Sequence, residues 1–145
     1  MNVFLDSSVL LAACGSADGA SRAVIDSAAA QSWSLLTCGY VLAEVEANLA
    51  ALPAGASDNW VQLRTKLEMV PDVLTFEWPT VFAPARDRPI LFTAAAWAEV
   101  LLTLDRHDFA DLLGTSFYGL AILKPGVFLQ RERAAGRLAG RIDST

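Results

Sequence analysis

Histidine is almost missing from this chain: His107 is the only one in 145 residues. Cysteine is nearly as scarce. Cys14 and Cys38 are the whole set, and they form no C-x-x-C pair. These shortages argue against a zinc centre of clustered nitrogen and sulfur ligands and against a disulfide framework. A reducing, cytoplasmic setting is expected, with both thiols serving as small core residues. Basic residues are few as well. There are 11 Lys and Arg against 16 Asp and Glu, for a net charge of -5. Bulk charge therefore does not attract nucleic acid. A local site in which metal ions mask acids remains compatible with that balance.

A long apolar run is also lacking. The longest, residues 89–104, contains Glu99 and is too short to span a membrane. Leu11-Ala12-Ala13-Cys14 has the form of a lipoprotein cleavage box. A signal peptide needs a positively charged start, yet no Lys or Arg precedes Arg22 and Asp6 interrupts the apolar stretch. Export is not expected. Internal repeats and low-complexity segments are absent too.

What the chain does have is apolar residues, 54% of the total, enough for a sizeable core in one domain. A strand is expected at the start, running into Asp6. Residues 9–14 form helical turns broken at Gly15, and a turn follows at residues 17–19. Residues 21–31 form an Ala-rich helix with Ala23, Val24, Ile25 and Ala28 inward. Residues 33–36 form a second strand. Thr37 is placed as the N-cap of a helix reaching about Leu52, before Pro53. Its apolar stripe is Val41, Leu42, Val45, Leu49 and Leu52. At about 100° per residue, Glu44 sits half-buried at one edge of that stripe, with Asn48 one turn on and Glu46 opposite.

Residues 58–69 are expected as a further helix, with Trp60, Leu63 and Leu67 on one face. Residues 73–76 are a strand candidate, and residues 77–86 an irregular loop. Asp87 fits the N-cap of a helix over residues 90–98, with Pro89 tolerated in its first turn. Residues 99–104 are a buried strand ending at Asp105. A turn and short helix follow at residues 106–113, and a last strand at residues 119–123. The domain spans 1–130, and 131–145 is an Arg-rich helix or frayed tail. Strands alternating with helices over short links indicate an α/β fold, a doubly wound, mostly parallel sheet flanked by helices.

In a parallel sheet the strand C-termini share one edge, where ligands bind. Asp6 and Asp105 both end strands. Asp87 starts a helix and Glu44 edges one. Carboxylates gathered this way repel one another and need a cation. Oxygen-only ligation suits Mg²⁺ or Mn²⁺, and such sites perform phosphoryl chemistry. Ser8 or Thr103 is placed to orient a ligand, water or phosphate oxygen. Ser7 and Ser8 lack a partner base, so neither is read as a nucleophile.

These residues resemble a known family. Phe4-Leu5-Asp6-Ser7-Ser8-Val9-Leu10 resembles the opening of PIN-domain nucleases, and Leu42-Ala43-Glu44-Val45 is similar to their second acidic motif. Arg86-Asp87-Arg88-Pro89-Ile90-Leu91 and the stretch from Val100 through Thr103-Leu104-Asp105-Arg106-His107-Asp108-Phe109 resemble the third and fourth. Residues 119–129 resemble the close of the toxin-like, VapC-type branch. The likeness covers about residues 2–130. It departs at Leu104, where many relatives carry Gly, and at Trp97-Ala98-Glu99, which replaces a Gly-Ala-Asp turn.

The resemblance implies a PIN-like α/β/α sandwich and a Mg²⁺- or Mn²⁺-dependent endoribonuclease. It implies Asp6, Glu44, Asp87 and Asp105 as the acidic set, with Asp108 as a possible fifth member. It also implies an RNA substrate and a small antitoxin protein as partner; homodimers are common in the family. Arg86, Arg88 and Arg106 are candidates for RNA phosphates, and Trp78 for base stacking.

Plainer roles stand beside these. Asp87 suits a helix cap, Asp108 a surface acid, His107 an exposed side chain, and the other tryptophans the core. Two other functions compete. One is a PIN-like binding module without catalysis. The other is a receiver-type phosphoacceptor domain, suggested by Lys124-Pro125 after the last strand; this chain has Asp-Ser-Ser where that class has an acidic pair.

Overall fold

The computed structural model describes residues 1–73, 88–105, 109 and 112–138. Its elements are β1 (Asn2–Leu5), α1 (Ser7–Gly15), α2 (Ala20–Gln31), β2 (Ser34–Cys38), α3 (Gly39–Asn48), α4 (Ala56–Arg64) and β3 (Glu68–Val70). They continue with α5 (Arg88–Trp97), β4 (Val100–Leu102), β5 (Ser116–Phe117), β6 (Leu120–Leu123) and α6 (Pro125–Ala134). The six strands form one sheet in the order β3-β2-β1-β4-β6-β5. All pair in parallel except β5, which runs antiparallel to β6 at the edge. The doubly wound α/β expectation holds.

β1 lies where the order reverses: β2 and β3 go to one side, β4 and β6 to the other. Such reversals open a crevice at the strand C-termini. In the β1–β4 register Leu5 pairs with Leu102, so Asp6 and Thr103, the next residues, leave the sheet side by side. The amide of Asp6 extends that ladder by donating to the Leu102 carbonyl at 3.1 Å.

The central strands are apolar because both faces are covered. Val3, Phe4, Leu5, Leu101, Leu102 and Ile122 are fully buried. Helices α1, α2 and α4 pack together, α6 packs on α2, and α5 packs on β1 and β4. α1 buries Val9, Leu10, Ala13 and Cys14. Its last carbonyls have partners from elsewhere: Arg22 Nη1 donates to Ala13 O at 3.1 Å and Asn59 Nδ2 to Cys14 O at 2.8 Å. Trp33 meets Phe128 edge-on, with ring centroids 4.9 Å apart, joining the entry of β2 to α6. Pro125 opens α6, where its missing N–H costs nothing.

Several expectations are corrected. Thr37 is not a helix cap. It lies inside β2, fully buried, and its hydroxyl has no hydrogen-bond partner among the described residues. The helix begins at Gly39 and its cap comes from outside: Asp72 Oδ1 accepts from Tyr40 N at 3.1 Å. A Cβ on Gly39 would stand 3.3 Å from Asp72 Oδ2, so a residue without a side chain suits that approach. α3 ends at Asn48 and passes into a short 3-10 turn, Leu49–Ala51. The helix expected over residues 58–69 stops at Arg64, and Glu68–Val70 is a strand instead. Trp33 and Trp60 are core residues, but Trp97 is 44% exposed. The strand candidate at 73–76, the loop with Trp78, and most of the helix at 106–113 fall outside the described residues.

The Arg-rich end is helical through Ala134. Glu132, buried on α6, accepts from Arg137 at both oxygens, Nε to Oε2 at 2.7 Å and Nη2 to Oε1 at 2.9 Å. Among the described residues no helix is long and apolar enough to cross a membrane.

Candidate active site

Asp6 sits at the joint between β1 and α1. It is 3% exposed. Its backbone is extended and its side chain caps α1, with Oδ1 accepting from Ser7 N at 2.7 Å. A helix N-terminus favours a negative charge at that point. The other oxygen, Oδ2, accepts from Thr103 Oγ1 at 2.7 Å and from Ser8 Oγ at 2.9 Å.

Each hydroxyl proton is then committed, and each hydroxyl oxygen takes a backbone donor in turn. Leu104 N donates to Ser8 Oγ at 3.0 Å, and Asp105 N donates to Thr103 Oγ1 at 3.1 Å. The segment that carries Asp105 is therefore tied to Asp6 through two hydroxyls. Ser8 and Thr103 act here as supports for Asp6. Thr103 is fully buried behind it.

Glu44 reaches the same place from α3. It is half-buried beside Val41 and Val45, as the helix stripe predicts. Ser7 Oγ donates to Glu44 Oε2 at 2.6 Å. Asn48, one turn on, donates from Nδ2 to the Glu44 carbonyl at 2.7 Å. Asp6, Ser7, Ser8, Leu11, Glu44, Asn48 and Asp105 line one cleft of about 440 Å³. Three of the four expected acids thus share a single opening. Asp87, Arg86, Arg106 and Asp108 lie outside the described residues, as does the side chain of Arg88, which opens α5.

Burial pushes the Asp6 carboxyl above its ordinary range. The bonds from Thr103, Ser8 and Ser7 N pull it back, and the charge of Glu44 adds to the rise. Burial wins because every donor is neutral. Among the described residues no Lys or Arg pairs with Asp6 or Glu44. Nor do any three acidic, His or Cys side chains among them already stand close enough to hold a metal ion. Among the described residues the cleft offers oxygen and one carboxamide as polar donors, with no imidazole or thiolate. That donor chemistry fits a hard cation such as Mg²⁺ or Mn²⁺. Among the described residues, Asp6, Glu44 and Asp105 are the cleft side chains that would hold one, on drawing closer together.

Sequence reasoning singled out Ser8 and Thr103 and read the Ser7–Ser8 pair as packing and ligand orientation around a metal, but it did not foresee the bond from Ser7 to Glu44 and gave Asn48 no role of its own. Asn48 carried a signal, its one-turn spacing from Glu44. Ser7 carried only its place beside Asp6.

Neither a protein-family model nor a curated protein sequence matches the chain. Among solved structures, it is similar to a chain in the crystal structure of VapBC2 from Rickettsia felis bound to a DNA fragment from their promoter. The TM-score is 0.59 at 14% identity, over 84% of this chain and 97% of that one. The two share a fold.

Proposed function

We propose that this protein is a Mg²⁺- or Mn²⁺-dependent endoribonuclease and the toxin of a toxin–antitoxin pair. The observation that carries this reading is the cleft itself. Asp6 and Asp105 follow adjacent parallel strands, Glu44 joins them from α3, and Asp6 is buried with neutral donors alone among the described residues. A carboxylate so placed is costly without a cation. Asp6, Glu44 and Asp105 would hold the metal, and the sequence adds Asp87, with Asp108 as a further candidate. The bound ion supplies an activated water and stabilises charge on the phosphate being attacked.

The chain's own residues fix the rest. Thr103 and Ser8 hold Asp6 and, through their oxygens, the backbone of Leu104 and Asp105. The half-exposed positions of Glu44 and Asp105 leave room for an RNA phosphate between them. Arg86, Arg88 and Arg106 are the candidates to hold the flanking phosphates. The shared fold with a chain of a VapBC complex supports a small antitoxin as partner. A homodimer and a cytoplasmic location belong to the same reading.

A receiver-type phosphoacceptor reading is less favoured. Asp58 lies exposed in the first turn of α4, and Asp72, the acid nearest the middle of the chain, accepts from Tyr40 N; neither lines the cleft. The binding module without catalysis is left to experiment. Purified protein with Mn²⁺ is expected to cleave single-stranded RNA, EDTA to stop it, and Asp6→Asn or Asp105→Asn to abolish it. Cleavage that survives both substitutions would remove the site assignment, and an absence of any cleavage or metal binding would favour the binding module.

A further inference from the structure

Among the described residues, Ser7 Oγ lies within hydrogen-bond distance of the carboxylates of both Asp6 and Glu44, and nothing in the reading above uses it. We infer that Ser7 is a positioning residue, holding Glu44 at the cleft beside Asp6 through its hydroxyl, from where it would ligate the ion. The inference rests on the metal-dependent reading and deepens it.

The geometry is that of a clamp. The amide of Ser7 donates to Asp6 Oδ1 at 2.7 Å, and its hydroxyl donates to Glu44 Oε2 at 2.6 Å. Ser7 Oγ also lies 3.4 Å from Asp6 Oδ1. A serine hydroxyl has one proton, and the shorter contact takes it. The distance is in the range of charge-assisted O–H···O⁻ bonds, which are about twice as strong as neutral ones. Ser7 begins α1 and Glu44 lies on α3, so this bond fastens two helices at the mouth of the cleft.

Glu44 needs such a fastening for two reasons. It has three rotatable side-chain bonds and sits at the edge of its helix, half in solvent. It also shares the cleft with Asp6, and like charges repel. Without a donor between them, Glu44 would turn outward to water. With Oε2 held by Ser7, Oε1 takes no hydrogen bond among the described residues. The supporting partners of metal ligands typically tune affinity by roughly 10- to 100-fold.

The test is calorimetric titration of the full chain with Mn²⁺ alone, beside RNA cleavage and thermal melting in EDTA. Ser7→Ala is expected to weaken Mn²⁺ binding about tenfold while melting as wild type does. Ser7→Thr, which keeps the hydroxyl, should restore affinity. In a Glu44→Gln background, Ser7→Ala should cause no further loss, because Ser7 acts through Glu44. Mn²⁺ affinity unchanged in Ser7→Ala would overturn the inference and leave the nuclease reading intact. An equal loss in the Glu44→Gln background would overturn it too, by showing that Ser7 acts elsewhere. Wild type that binds Mn²⁺ with the expected Ser7 dependence but cleaves no RNA would remove the nuclease and keep the clamp. Wild type that binds no Mn²⁺ would remove both.

Discussion

Thr103 donates its hydroxyl proton to Asp6 Oδ2 at 2.7 Å across 97 residues of sequence, and its own Oγ1 accepts from the amide of Asp105 at 3.1 Å. One buried side chain thus sets the position of two acids. Thr103→Val keeps the shape and removes both bonds. An unsatisfied buried donor or acceptor costs about 1–3 kcal/mol. Urea denaturation in EDTA should show a loss of that size, and Thr103→Ser should recover most of it. A valine variant as stable as wild type would mean the relay carries no energy.

The raised Asp6 carboxyl has a consequence for pH. Its ordinary value is 3.8, and the folded value is higher. The folded state therefore holds the proton more tightly than the unfolded state. The stability this contributes is complete below the unfolded value and is lost as pH rises through the folded one. Asp6→Asn has no such proton to lose. In EDTA its stability relative to wild type should grow as pH is raised from 4 toward 7, measured by urea denaturation at each pH. A constant difference across that range would count against the burial argument.

Metal should reverse that penalty. A ligand that binds only the folded state stabilises it by mass action, by about 2.7 kcal/mol at a hundred times its Kd. Wild-type protein should therefore melt higher in Mn²⁺ than in EDTA. Asp6→Asn and Asp105→Asn should melt alike in both. A shift that survives either substitution would place the ion elsewhere.

The cap of α3 makes a separate prediction. Asp72 accepts from Tyr40 N and also from the Cys38 thiol, which burial and that bond together push up to about 12. Asp72→Ala should cost about 1 kcal/mol of stability, as lost helix caps do. It should also lower the Cys38 value, because the bond favours the thiol form. Labelling of Cys38 at alkaline pH, in a Cys14→Ser background, should be faster in the variant. Equal labelling would detach Asp72 from the thiol.

The elements legible in the sequence are those whose apolar period is clean. β1, α2 and β4 announce themselves by runs of Val, Leu, Ile and Ala, and the stripe of α3 placed Glu44 at its edge. β3 was hidden because Glu68 and Met69 face solvent at the sheet edge, so these two read as the last turn of a helix. β5 has two residues and no pattern to find. Thr37 looked like a cap because caps are judged from neighbours in sequence, whereas Asp72 arrives from 32 residues away. The acids at strand ends were legible for a topological reason: parallel strands end together. The hydroxyls around them were partly so. Ser8 and Thr103 stand beside the acids they serve, but the bond from Ser7 to Glu44 exists only once α1 and α3 meet.

The neutral shell around Asp6 has a bearing on how such a chain changes under selection. A substitution that removes the charge relieves the burial penalty but also disturbs the bonds from Ser7 N, Ser8 and Thr103. A library screened for heat resistance alone, in chelator, would keep the first acid only where those bonds outweigh the burial of its charge. In Mn²⁺ the same screen would add a second reason to keep it, through the cleft it shares with Glu44 and Asp105.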